Sequence, residues 1–266
     1  MINYGLLGSG SSGNSYLIST QNSAILIDAG FSLKQLKLRS EQLKLDFSKV
    51  EALCLTHIHP DHSKTAGVFA RQTKLPVFVN ENLLDEKYYD LHKLGIPQPL
   101  LKPFSAGQPF KIGEFVITSF PTSHDSPHSV GFNIKTKGRS ITIVTDTGTI
   151  DKTIMDFIDD TDILFIEANY EKEMLLNGPY PYYLKQRIAS KEGHLSNSDT
   201  IEALNRSSLK KTQHIYFCHL SKTNNCSILL TQRSSKELSW NGKTTVCEHG
   251  ALYGGSIEGV RNFYET

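Results

Sequence analysis

Leu55-Thr56-His57-Ile58-His59-Pro60-Asp61-His62 places three imidazoles and a carboxylate within six positions, directly after Glu51 to Leu55, an apolar run of strand character. Strand side chains alternate with a period of two, so His57 and His59 project to one side if the extended geometry persists. Pro60 then ends the strand, and Asp61 and His62 turn into a helix, facing a second position close to the first. Imidazoles this dense repel one another once protonated, and strand packing does not ask for them. Nitrogen and oxygen donors without a thiolate suit zinc, manganese or iron at a two-metal site, not an iron–sulfur cluster or a closed structural zinc.

Three later islands have the same form, an apolar run that ends in a potential ligand. Phe120-Pro121-Thr122-Ser123-His124-Asp125 offers His124, Ile143-Val144-Thr145-Asp146-Thr147-Gly148 offers Asp146, and Tyr216-Phe217-Cys218-His219-Leu220-Ser221 offers His219. Taken alone, each reads as a turn residue or a satisfied polar group. Their shared position at a strand's end sets them beside the first cluster.

The rest of the 266-residue chain supports a globular α/β protein. With 38% hydrophobic residues it can bury a core, and Gly 19 and Pro 10 punctuate it without low complexity. Strand runs are expected at Tyr16 to Ser19, Ala24 to Ile27, Glu51 to Leu55, Val77 to Val79, Phe115 to Phe120, Ile141 to Val144, Asp162 to Ile166 and His214 to Cys218. Helices are expected around Leu33, Leu36 and Leu43 and over Asp61 to Gln72, Glu81 to Leu94, Asp151 to Ile158, Tyr182 to Ser190 and Ser198 to Arg206. The rhythm suggests two sheets, each covered outside by helices. Neither a linker nor an internal repeat divides the chain, so residues 1–266 are read as a single domain, with the role of the part after about residue 227, Gly-rich beyond Trp240, left open. No membrane is expected as a partner, because no long uncharged apolar run occurs. The first residues lack the marks of a secretory signal, and Cys54, Cys218, Cys226 and Cys247 form no close CxxC pair, so reduced thiols in the cytoplasm are expected. Lys plus Arg, 28, against Asp plus Glu, 27, leave a net charge of +1, which names no partner.

The ordered set His57, His59, Asp61 and His62 in HxHxDH, then His124, Asp146 and His219, resembles the metallo-β-lactamase superfamily of hydrolases, and Asp28 in Ile27-Asp28-Ala29-Gly30 matches its upstream aspartate. The resemblance spans about Gly5 to Asn225. It implies a four-layer αββα sandwich, of the α/β (α+β) class, with metals in a cleft at one edge of the paired sheets. Carried over, His57, His59 and His124 are ligands of one divalent ion, Asp61, His62 and His219 of the other, and Asp146 bridges them, while Asp28 holds the ligand loop by hydrogen bonds. Zinc is the expected bound metal, with manganese or iron as alternatives.

Glu167 in Phe165-Ile166-Glu167-Ala168-Asn169-Tyr170 and His194 in Gly193-His194-Leu195-Ser196-Asn197 are similar to a glutamate and histidine that ribonuclease Z-type phosphodiesterases add to such a site. A histidine held by a carboxylate can protonate the departing oxygen of a phosphodiester near neutral pH. The plainer reading has Glu167 closing a strand and His194 capping a helix. Gly8-Ser9-Gly10-Ser11-Ser12-Gly13-Asn14-Ser15 and His219-Leu220-Ser221-Lys222-Thr223-Asn224-Asn225, with the two middle islands, resemble the bacterial YycJ (WalJ) group, described as DNA exonucleases. No β-CASP insertion stands between Asp146 and His219, which argues against the larger RNA-processing branch. The resemblance implies a two-metal phosphodiesterase, a DNA exonuclease with a role in DNA repair. Hydroxide generated on the metals would attack the phosphorus, Asp61 would orient it, and Glu167 and His194 would serve the leaving group. The alternatives are a small-molecule hydrolase acting on a lactone, thioester or cyclic phosphodiester and, less favoured, a ribonuclease. Candidate substrate contacts are Ser9, Ser11, Ser12, Asn14, Asn169, Lys222, Asn224 and Asn225. The Gly/Ser loop reads equally as a phosphate cradle or a plain tight hairpin. Lys185, Arg187 and Lys191 form a basic rim, to be read as solvated or as touching nucleic acid. The native metal, the polarity of digestion and the oligomeric state are not written in the sequence.

Overall fold

Short β-branched and aromatic runs cut off by Gly, Pro, Asn or Asp make strands that bury their apolar faces by stacking sheet on sheet. The computed structural model describes residues 1–85 and 89–259, and within them the strands form two seven-stranded sheets. The first sheet holds β1 (Ile2–Gly8), β2 (Ser15–Ser19), β3 (Ala24–Ile27), β4 (Val50–Cys54), β5 (Val77–Asn80) and β6 (Leu101–Phe104). The second holds β7 (Pro109–Ile112), β8 (Phe115–Pro121), β9 (Val130–Thr136), β10 (Arg139–Val144), β11 (Ile163–Glu167), β12 (His214–Cys218) and β13 (Lys243–Val246), after which β14 (Tyr253–Ile257) returns to the first sheet beside β1. β3 to β6 run parallel, as do β10 to β13.

Alternation along the strands sorts the core into layers. Ile25 and Ile27 point inward with Ile2, Tyr4 and Tyr16 to meet Phe115, Ile117, Phe132, Ile141 and Phe165 of the other sheet. Leu26 points outward, where Leu33 and Leu36 of α1 (Leu33–Gln42) and Phe69 of α3 (Ala66–Thr73) cover it; the short α2 (Pro60–Ser63) lies between these two helices in the chain. After α4 (Tyr89–Lys93), the outer face of the second sheet is covered by Ile154 and Ile158 of α5 (Lys152–Asp159). Two helices, α6 (Lys172–Asn177) and α7 (Tyr182–Ile188), then project from the body, and Ile201 and Leu204 of α8 (Asn197–Arg206) with Leu230 of α9 (Ser227–Glu237) complete the cover. The four layers are the αββα arrangement expected. No helix among the described residues is long and apolar enough to cross a membrane.

The expected helix over Asp61 to Gln72 is split into α2 and α3. The Asp61 carbonyl accepts from the Asn14 N–H and the His62 carbonyl from the Ala29 N–H, while the Thr65 N–H donates to the Ala29 carbonyl, so the i to i+4 ladder is interrupted by two neighbouring loops. Of the helix expected over Glu81 to Leu94, a 3₁₀ turn (Glu81–Leu84) and α4 form; residues 86–88 lie outside the described residues. The Gly-rich tail becomes β14. A Cβ on Gly254 would come within 2.9 Å of the Tyr4 carbonyl oxygen, so glycine permits this close pairing. Residues 260–266 lie outside the described residues. Cys54, Cys218 and Cys247 are buried free thiols, and Cys226 is exposed.

Candidate metal centre

β3, β4, β10, β11 and β12 end at one edge of the sandwich, and the segments that leave them carry the candidate ligands, as in open α/β sheets whose ligands lie beyond the carboxyl ends of the strands. Three residues that leave these strands adopt the left-handed region without being glycine: Asp28 at φ 59°, Asp146 at φ 53° and His219 at φ 56°. That conformation costs of order 1–2 kcal/mol and is best tolerated by Asp, Asn and His.

The expected ligands converge. His57, His59 and His124 bring ring nitrogens within 4.8 Å of one another, and a carboxylate oxygen of Asp61 lies equally close to ring nitrogens of His62 and His219. Asp146 lies between the groups, its Oδ2 3.1 Å from His62 Nε2 and its Oδ1 3.5 Å from His219 Nε2 and 3.7 Å from His124 Nε2. Nε2 of both His57 and His219 is buried without a hydrogen-bond partner among the described residues. Buried polar nitrogens are rarely left so, and a cation would satisfy both. The donor set of imidazoles and carboxylates therefore fits divalent metal ions.

Hydrogen bonds from behind fix which nitrogen each ring presents. Asp28, fully buried, accepts from the Thr56 N–H (2.8 Å), the Thr56 hydroxyl (2.8 Å) and His62 Nδ1 (2.7 Å), which leaves His62 Nε2 facing Asp146. His124 donates from Nδ1 to the Gly193 carbonyl (3.2 Å) and turns Nε2 to within 3.2 Å of His59 Nδ1. Glu167 is shared: Oε1 accepts from His194 Nδ1 (2.6 Å) and from His219 Nδ1 (3.1 Å), and Oε2 from the Thr147 N–H (3.0 Å). One carboxylate thus orients an expected ligand and the expected acid. Such backing bonds hold tautomer and ring angle.

The electrostatics follow from burial and from the charges that each group faces. Burial, joined by neighbouring imidazoles, lowers His57 and His59 below the usual histidine range, so their lone pairs are available. Burial also acts on His62, but the carboxylates of Asp146 and Asp28 outweigh it and push His62 up to about 10. Burial would raise Asp146; the imidazoles of His219 and His62 hold it well below the ordinary carboxylate range instead. His194 is raised, its burial outweighed by the charge of Glu167 and their hydrogen bond.

The candidate substrate contacts divide. Ser9 accepts from the His219 N–H (2.7 Å), and Asn14 spans Gly10 with both ends of its amide while its Nδ2 donates to Asp61 (3.2 Å). Asn169 donates to the His219 carbonyl (2.8 Å), and Asn225 to the Ala168 carbonyl (2.8 Å). These four side chains are turned inward and brace the ligand segments. Asn224 is buried as well, whereas Ser11, Ser12 and Lys222 are exposed. Two site residues escaped the sequence reading. Thr56 bonds to both Asp28 and His57 Nδ1 (3.0 Å), and Asp125 lies 3.4 Å from His124 Nε2 and 3.7 Å from His59 Nε2. A charge adjoining an expected ligand was the available signal for Asp125; a lone threonine gave none.

Residues 23–219 match the family described as the beta-lactamase superfamily domain. The exodeoxyribonuclease YycJ of Bacillus anthracis is 32% identical over 241 residues, 91% of this chain and 90% of that protein. The exodeoxyribonuclease WalJ of Streptococcus pneumoniae is 35% identical over 226 residues, 84% of this chain and 82% of that protein. Among solved structures, the metallo-beta-lactamase fold protein YhfI of Bacillus subtilis superposes with a TM-score of 0.71 at 20% identity, over 96% of this chain and 99% of that one.

Proposed function

Since the chain belongs to the beta-lactamase superfamily and is a metal-dependent hydrolase, we propose that it hydrolyses phosphodiester bonds in DNA from an end, with two divalent ions at the centre described above. The observation that carries this reading is the pair of Glu167 and His194, 2.6 Å apart beside the ligand cluster. Lactam or thioester cleavage makes less use of a second acid so placed, whereas the alkoxide leaving a phosphodiester needs a proton. The exodeoxyribonuclease names of the relatives support DNA as the substrate.

His57, His59 and His124 would hold one ion, Asp61, His62 and His219 the other, with Asp146 between them; zinc suits this donor set, and manganese or iron could replace it. The chemistry supplied by bound divalent cations is Lewis acidity, which acidifies water and offsets charge on phosphoryl oxygens. Asp61, 23% of whose side chain is exposed, is braced by Asn14 and would hold the attacking water. His194 keeps Nδ1 on Glu167, so Nε2 is free to give its proton to the departing oxygen.

The test is end-labelled DNA incubated with chelated protein and with the same protein after zinc or manganese is restored. Ladder-wise shortening that returns only with metal supports the reading. Remetallated protein that leaves DNA intact but opens a lactone, thioester or cyclic phosphodiester overturns it.

A further inference from the structure

Between Glu167 and His194 the chain leaves the body to form α6 and α7, and almost nothing of this excursion is buried; Leu175 is the exception within the two helices. Its exposed side chains are large and apolar: Leu176 is 68% exposed, Tyr182 74% and Tyr183 72%. Large apolar side chains exposed together mark interaction surfaces. A groove of about 570 Å³ is lined by residues of both helices, among them Leu175, Tyr182 and Lys185, and by Tyr170.

The excursion is firmly tied to the metal centre. Arg187, one helical turn beyond Tyr183 on the same stripe, grips Asp125, the neighbour of His124. The Lys191 carbonyl accepts from the Ser123 hydroxyl (2.7 Å), and His194 N–H donates to the Ile188 carbonyl (2.9 Å). Tyr183 therefore stands one turn from the rim of the catalytic cluster. From residue 172 to 192 the cations are Lys172, Lys185, Arg187 and Lys191; Lys172 pairs with Asp199 and Arg187 with Asp125, which leaves Lys185 and Lys191 outside ion pairs among the described residues.

We propose that α6 and α7 form a platform for a single-stranded end of the nucleic acid, on which Tyr182 and Tyr183 stack unpaired bases while Lys185 and Lys191 accompany the backbone toward the metal centre. Flat exposed rings beside cations are what unpaired bases and phosphates require, and stacking is tolerant of base identity because every base has a π-face. The inference rests on the nuclease reading and adds to it the form of the substrate.

The experiment compares the metal-loaded wild type with Tyr182→Ala/Tyr183→Ala and Tyr182→Phe/Tyr183→Phe on three substrates: an oligonucleotide with an unpaired end, a blunt duplex, and bis(p-nitrophenyl) phosphate. The alanine pair is expected to lose roughly tenfold to a hundredfold in kcat/KM on the unpaired end, mostly through KM, and to keep wild-type turnover of the small diester. The phenylalanine pair, which retains the rings, should restore the activity. Equal kcat/KM for wild type and the alanine pair on the unpaired end overturns the proposal and leaves the nuclease reading intact. So does a fall on the small diester of the same size, which would mark a folding defect, or a change of oligomeric state in sedimentation with DNA kinetics preserved, which would make the ridge a protein contact. A wild type that cleaves the small diester but neither binds nor shortens any DNA overturns both readings.

Discussion

Asp146 and His194 sit less than 4 Å apart, yet their surroundings differ. Asp146 is hemmed in by His62, His124 and His219 Nε2 atoms, so Asp146→Ala should remove bound metal and activity together. His194 has one nitrogen committed to Glu167, and His194→Ala should retain the wild-type metal content while turnover falls by roughly 10²- to 10⁴-fold. Metal analysis and kcat on the same samples separate the two; a His194→Ala protein with undiminished turnover on a DNA end would sink the acid assignment. Glu167 serves both His194 and His219, and Glu167→Gln is expected to lower metal affinity and turnover at once. The identity of every such residue stood in the sequence. The double duty of Glu167 did not, because it depends on β11 and β12 lying side by side with Glu167 opposite Cys218, which places His219 one residue beyond.

The helical elements that carry proposed ligands are shaped by what they touch. Gly30 lies where three segments cross: a Cβ there would stand 1.8 Å from the Asp61 carbonyl oxygen and 2.5 Å from the Asn14 nitrogen. Gly30→Ala should therefore push α2 off the loop that follows β3, costing roughly 3 kcal/mol or more and weakening metal binding; chemical denaturation with metal titration measures both. Strand β12 offers a second test. His214, 6% exposed, donates to or accepts from Thr245 at 2.8 Å and is depressed to about 4 by burial and by Lys243. Its folded-state pKa is below the ordinary value near 6.5, so its contribution to stability is complete above pH 6.5 and is lost as pH falls toward 4. The loss amounts to about 3 kcal/mol at most. His214→Gln should flatten that part of the stability curve, and denaturation midpoints unchanged in their pH dependence would contradict the assignment. The split of the helix expected from Asp61 onward shows the limit of periodicity at this scale. Its apolar spacing is helical, but the carbonyls of Asp61 and His62 are claimed by two loops, at Asn14 and at Ala29, that precede them by more than 30 residues.

Across the whole molecule, the cleft edge gathers Asp28, Asp61, Asp146 and Glu167 with six histidines, a charge cluster that the fold must hold together. Divalent ions bound at about a thousand times their Kd would add about 4 kcal/mol of stability, so chelation should lower the melting temperature by about 10 °C. Scanning calorimetry with and without chelator, then with zinc restored, checks this; an unchanged melting temperature would count against a metal centre that spans both sheets. The sequence by itself determined the donor inventory, the strand that ends at HxHxDH and the four-layer architecture, because alternating apolar runs and ligand spacing are local properties. Only the tertiary structure decided that Ser9, Asn14, Asn169 and Asn225 face inward, that glycines at 254 and 255 make an edge strand, and that Tyr182 and Tyr183 are exposed. Orientation and exposure depend on which distant backbone groups come within hydrogen-bonding or packing distance, and no local pattern encodes that distance.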